Sequence, residues 1–131
     1  MDKIFGFSET EYEYMEFFWD NPGNKTFKEI LDYFNNVKAK GWKKQTVSTF
    51  LTLLIDKGYL NVDKSKRKYL YSSKCDKEKH ISSYLQRMCE NFFDGDLVNF
   101  ISAIVGDREL ETDECDKIIE YAQNLRDNRK K

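Results

Sequence analysis

Gln45, Thr46, Ser48, Thr49 and Thr52 alternate with Val47, Phe50, Leu51 and Leu54 in one short stretch of the chain. At roughly 100° per residue the apolar members fall on one side of a helix, and Gln45, Ser48, Thr49, Thr52 and Asp56 fall on the other. A merely solvated helix face is usually built of Lys and Glu. Short hydroxyls and an amide instead suit close approach to a grooved polyanion, where they exchange hydrogen bonds with base edges. Lys64, Lys66, Arg67 and Lys68 follow soon after the helix stops at Gly58, and a cluster of that sign neutralises phosphates. Lys43 and Lys44 stand at the helix start, where they oppose the macrodipole unless a phosphate sits there.

The elements around this stretch place it. Ser8-Glu9-Thr10-Glu11 has the form of a capping box and opens a helix with Tyr12, Met15, Phe18 and Trp19 among its apolar positions; Asn21-Pro22-Gly23 stops it. Thr26 and Glu29 repeat the capping spacing, and Phe27, Ile30, Leu31 and Phe34 give the stripe of a second short helix, followed by a polar connector over 35–41. After the third helix, Tyr59-Leu60-Asn61-Val62 and Lys68-Tyr69-Leu70-Tyr71 read as two strands joined by a basic tip. Helix, helix, helix, hairpin is a winged helix-turn-helix, in which the third helix enters the major groove and the hairpin rides the backbone.

Beyond Cys75 the character changes. A helix capped by Asp76 runs to about Asp94 with Ile81, Tyr84, Leu85, Met88 and Phe92 on its apolar side. A second spans Leu97 to Val105 and carries Leu97, Phe100, Ile101 and Ile104. The last starts near Thr112 and carries Ile118, Ile119, Ala122 and Leu125. Three short helices cannot bury all of these stripes against one another, so a second copy is expected to cover them. The expected fold is mostly α with a small β-hairpin: a winged-helix domain over 1–75, then a three-helix dimerisation region over 76–131.

Charge follows the same division. The whole chain carries a net charge of −1, yet residues 38–74 hold ten basic side chains against two acidic ones. With no signal-peptide pattern and no long apolar run, a cytoplasmic protein without membrane insertion is expected. Cys75, Cys89 and Cys115 are odd in number and lack Cys-x-x-Cys spacing, which points to reduced thiols rather than disulfides or a metal site. Neither a Gly-rich phosphate loop nor a nucleophile elbow occurs, so no enzyme and no cofactor are expected. His80, the single histidine, reads as a surface residue, and Trp19 and Trp42 as core.

The order and wording of these elements resembles the penicillinase repressor family (BlaI/MecI/CopY), bacterial winged-helix repressors with a helical dimerisation tail. The resemblance rests on Phe7-Ser8-Glu9 with Glu11, Met15 and Trp19; on Trp42 with Thr46, Val47, Thr49 and Leu51 to Gly58; on Arg67 to Tyr71; and on Leu97 to Phe100 with Leu110. It covers nearly the whole chain. It implies dimeric binding to a palindromic operator in double-stranded DNA and control of a β-lactam resistance operon. The resemblance further implies release by cleavage between Asn99 and Phe100, initiated by a membrane β-lactam-sensing metalloprotease. The chain departs from the family at Lys43-Lys44, where members often place Ser-Pro, and at the hairpin tip, which lacks the usual Gly. The paired Cys-x-Cys motifs of the copper-sensing branch are absent, so copper is dropped. Competing readings are a winged-helix module that binds an acidic protein, and a repressor released by a small ligand.

Overall fold

Capping chemistry starts the first two helices. In the computed structural model, which describes residues 4–129, α1 (Glu9–Asp20) opens on Ser8: its hydroxyl accepts from the Glu11 N–H, and the Glu11 carboxylate accepts from the Ser8 N–H. α2 (Phe27–Asp32) repeats the exchange between Thr26 and Glu29. Each cap stabilises its helix by about 1 kcal/mol. α3 (Lys44–Asp56) has none, since Lys43 occupies the N-cap position and makes no side-chain bond to the helix. Gly58, at φ +86°, turns the chain out of α3 into β2 (Leu60–Asp63).

β2 and β3 (Leu70–Ser73) form the expected antiparallel hairpin, with Leu60 opposite Ser73 and Asp63 opposite Leu70. The ladder starts at Leu70 rather than at Lys68, which leaves Lys68 and Tyr69 in the tip. A third strand, β1 (Lys25–Thr26), pairs with the other edge of β3 in the order β1-β3-β2. Two residues carry no periodicity, so this strand is silent in the sequence. Two further expectations are corrected. The second helix does not pass into a connector at Asn35 but continues as a π-helical turn over Tyr33–Val37. His80 is not a surface residue: it is half-buried, stacked on Phe7 at 4.7 Å between ring centroids, and its Nε2 donates to the Phe5 carbonyl at 2.9 Å. A tight turn at Phe5 and Gly6, closed by bonds between Ile4 and Phe7, folds the chain start back to reach it.

The core of the first unit joins Phe7, Tyr14, Met15, Phe17 and Phe18 to Ile30, Phe34, Val47, Leu51, Leu54 and Leu60, with Trp19 and Trp42 packed at its margin. Tyr14 stacks on Phe34 at 4.3 Å, Phe50 at 5.4 Å and Trp42 at 5.7 Å. Its hydroxyl is buried with no partner among the described residues, and burial followed by the charge of Glu13 pushes its pKa up. Glu11 is also buried, yet it is paired: Lys57, at the end of α3, donates to it at 2.7 Å. Burial raises the Glu11 pKa, but the bonds from Lys57 and Ser8 outweigh it and hold the carboxyl below its usual value.

The chain divides into two compact units, Met1–Gln86 and Arg87–Lys131, the boundary lying inside α4 (Lys77–Phe93). In the second unit, Asp96 caps α5 (Leu97–Val105) by accepting from the Asn99 N–H at 3.0 Å, and Phe100 lies 5.2 Å from Phe93. α6 (Thr112–Arg129) follows. Among the described residues of this unit only Cys89 is buried, while Leu97 and Ile104 are each 60% exposed.

Two stability outcomes follow from this packing. Tyr14→Phe removes an unpaired buried hydroxyl and should leave stability unchanged or raise it by about 1 kcal/mol in chemical denaturation. Lys57→Met strands the Glu11 carboxylate and should cost about 1–3 kcal/mol. Because the folded Glu11 pKa lies below the unfolded one, its contribution is complete above about pH 4.3 and is lost as pH falls through the folded value. Lys57→Met should therefore flatten the acid side of the stability profile.

Candidate nucleic-acid interface

α3 buries Val47, Leu51 and Leu54, and its opposite side is left to Gln45, Ser48, Thr49, Thr52, Leu53 and Asp56, which line a shallow depression. The structure thus brings together four of the five polar α3 residues expected to contact DNA, Gln45, Ser48, Thr49 and Thr52. Thr46 stands apart: it is half-buried on the flank of the helix. Thr49 is further constrained, because its hydroxyl donates to the Gln45 carbonyl at 2.9 Å. With its proton spent inside the helix, Thr49 offers lone pairs and a methyl group. That suits a base amino group or a thymine methyl rather than an acceptor edge.

The uncapped start of α3 is held from outside the helix. Asn35, in the π-helical turn, donates through Nδ2 to the Trp42 carbonyl at 2.8 Å and accepts from the Trp42 N–H at 2.7 Å. Trp42 stacks on Tyr14, and Lys40 lies over the Trp42 ring while pairing with Glu13 at 3.0 Å. Lys43 and Lys44, next in the chain, are exposed and pair with no carboxylate among the described residues. Asn35 is the positioning residue that sequence reasoning missed. In sequence it is one Asn of a polar connector, and its role depends on the π turn that aims it.

The wing carries exposed Lys64, Lys66, Arg67 and Lys68, also without carboxylate partners among the described residues. The turn needs no glycine because Asp63 supplies the closure: its Oδ1 accepts from the Ser65 N–H at 2.9 Å and from the Ser65 hydroxyl at 2.6 Å. Those bonds, first the hydroxyl and then the amide, hold the Asp63 pKa below its usual value. The one carboxylate of the tip is thereby engaged with the turn rather than with the lysines.

The residues expected to pair two copies lie in the second unit. Leu97, Ile101, Ile104, Ile118, Ile119, Ala122 and Leu125 are exposed there, and Phe100 is half-buried. Asn99 is exposed in the first turn of α5, so the Asn99–Phe100 bond lies beside the Asp96 cap. Among the described residues no group of His, Cys, Asp or Glu is arranged to hold a metal ion, and no helix is long and apolar enough to cross a membrane.

Comparison with known proteins points to one family. A family model described as penicillinase repressor matches residues 7–124. The chain is 27% identical over 134 residues to the penicillinase repressor of Bacillus licheniformis, covering 100% of this chain and 99% of that one. It is also similar to the solution structure of the DNA binding domain of the repressor BlaI, at 31% identity and a TM-score of 0.48, over 59% of this chain and 90% of that one.

Asn35→Ala deletes both bonds to Trp42, a loss of about 1 kcal/mol each. Amide hydrogen exchange should quicken at 43–47, with little change at 51–56. Equal protection of both segments in the variant would show that the start of α3 is held by the aromatic stack alone.

Proposed function

The chain belongs to the penicillinase repressor family, and on that footing we propose that it is a transcriptional repressor that binds a palindromic operator as a homodimer. The observation that carries this reading is the α3 face of short polar side chains, flanked by cations at the helix start and on the wing that pair with no carboxylate among the described residues. Gln45, Ser48, Thr49 and Thr52 reach base edges, with Thr46 at the flank. Lys43, Lys44, Lys64, Lys66, Arg67 and Lys68 contact phosphates. Residues 1–75 carry the DNA-binding half and 76–131 the pairing half. The protein is a regulator rather than an enzyme.

Pairing through α5 and α6 is supported by their exposed Leu97, Ile101, Ile104, Ile118, Ile119 and Leu125. A two-fold dimer sets its two α3 helices about 34–36 Å apart, or a multiple of that, to meet successive major grooves. The regulated genes form a β-lactam resistance operon. Repression ends when cleavage at Asn99–Phe100, begun by a membrane β-lactam-sensing metalloprotease, separates α6 from the rest. Each half-site is then bound singly, and the effective concentration that bivalent binding supplied is lost. A protease needs an extended segment, so cleavage waits on opening of the first turn of α5.

Four outcomes test this. On duplexes from the promoter of the neighbouring genes, Lys44→Ala should weaken every sequence alike and lower the salt slope by about one per protomer. Thr49→Ala should instead cost about 1–3 kcal/mol at particular base pairs. Replacing Asn99 and Phe100 with residues that keep the helix should leave the repressor intact and the reporter silent after a β-lactam is added, whereas Asp96→Ala should speed cleavage by loosening the cap. Full induction with an uncut repressor would rule out the release step.

A further inference from the structure

A cleft of about 430 Å³ separates the start of α2 from the wing. Thr26, Phe27 and Lys28 form one wall; Arg67, Lys68, Tyr69 and Tyr71 form the other. β1 creates it, since pairing of Thr26 with Leu70 lays the α2 start alongside the wing. Three cations and three aromatic rings line the cleft, with no carboxylate among them. Lys28, Arg67, Lys68 and Tyr69 are all exposed, so the cations and the Tyr69 ring stand at the mouth, with the half-buried Phe27 and Tyr71 below. A small-molecule pocket encloses its ligand and converges a few polar groups on it. This cleft has the charge at its edges, as a polyanionic chain passing through would require.

We infer that the cleft holds one sugar–phosphate strand of the bound duplex, with Lys28 facing Arg67 and Lys68 across the backbone and Tyr69 against a sugar. The inference rests on the DNA-binding reading and extends it to residues outside α3 and the wing tip, Lys28 and Tyr69 in particular. The wing then grips the backbone from its inner face as well as through its tip. Because the contact is to the backbone, it acts on any sequence and adds to affinity and register rather than to base choice.

The test uses the full-length protein and a labelled duplex of arbitrary sequence, about four helical turns long, titrated by fluorescence anisotropy over a range of salt. Lys28→Ala should weaken binding and lower the slope of log K against log salt by about one per protomer, since each lost phosphate contact releases one counterion fewer. Tyr69→Ala should weaken binding severalfold with the slope unchanged, and Tyr69→Phe should restore it. Lys117→Ala, on α6, serves as the control and should match the parent. Thermal melts confirm that the variants fold. If Lys28→Ala keeps the parent's affinity and slope while Lys44→Ala loses both, the cleft does not hold backbone and the DNA-binding reading stands. If the parent itself binds no duplex at low salt, the DNA-binding reading fails and this inference with it.

Discussion

Tyr14 is the point on which the first unit depends. Its ring lies face to face with Phe34, Trp42 and Phe50, so one side chain of α1 touches the π-helical turn, the chain two residues ahead of α3 and the middle of α3. Stacked rings bury large areas and resist sliding, because each ring has a preferred offset from its neighbour. The unpaired hydroxyl of Tyr14 is a local cost of that position, accepted where the ring is worth more than the polar atom. At the far end of α3 a different interaction completes the attachment: Lys57 reaches back to Glu11, whose carboxylate already serves the Ser8 cap. α3 is therefore held to α1 by rings at its start and by charge at its end.

Holding the helix at both ends frees its remaining surface from any structural duty. An N-cap and an acidic first turn would stabilise α3 on its own, yet Lys43 and Lys44 stand there instead. The Asn35 bonds to Trp42 and the Trp42 stack supply from outside what the cap would have supplied from within. The wing shows the same separation of tasks. Asp63 and Ser65 close the turn with their own hydrogen bonds, and the neighbouring cations are left unpaired among the described residues. Local stability is given up at the positions that the DNA-binding proposal assigns to phosphates.

The second unit is built in the opposite way. α5 is capped by Asp96, but the apolar side chains of this unit meet little of their own chain. In the proposed homodimer a second copy would cover them, which would link stability of this unit to protein concentration. The Asn99–Phe100 bond lies in the first turn of α5, where a single Asp96 cap opposes fraying. Any peptide bond in that turn is shielded while the helix holds and exposed when the turn opens, which is what the proposed release step would require.

The sequence by itself determined the helices, the hairpin and the faces of α3, because caps, turn residues and apolar spacing are local and read directly from the order of residues. Ser8 with Glu11, Thr26 with Glu29, and the Val47, Leu51 and Leu54 stripe are examples. It also pointed to the basic wing and, through a resemblance, to the family. What it did not reveal depends on partners distant along the chain. β1 is two residues long and exists only because β3 offers an edge. The π turn aims Asn35 at Trp42, seven residues further along the chain. His80 lies inside because Phe5 and Phe7 fold back onto α4, and the wing cleft exists because β1 pairs with β3. Each of these is a contact between elements whose local sequences carry no trace of one another, so only the tertiary structure could decide them.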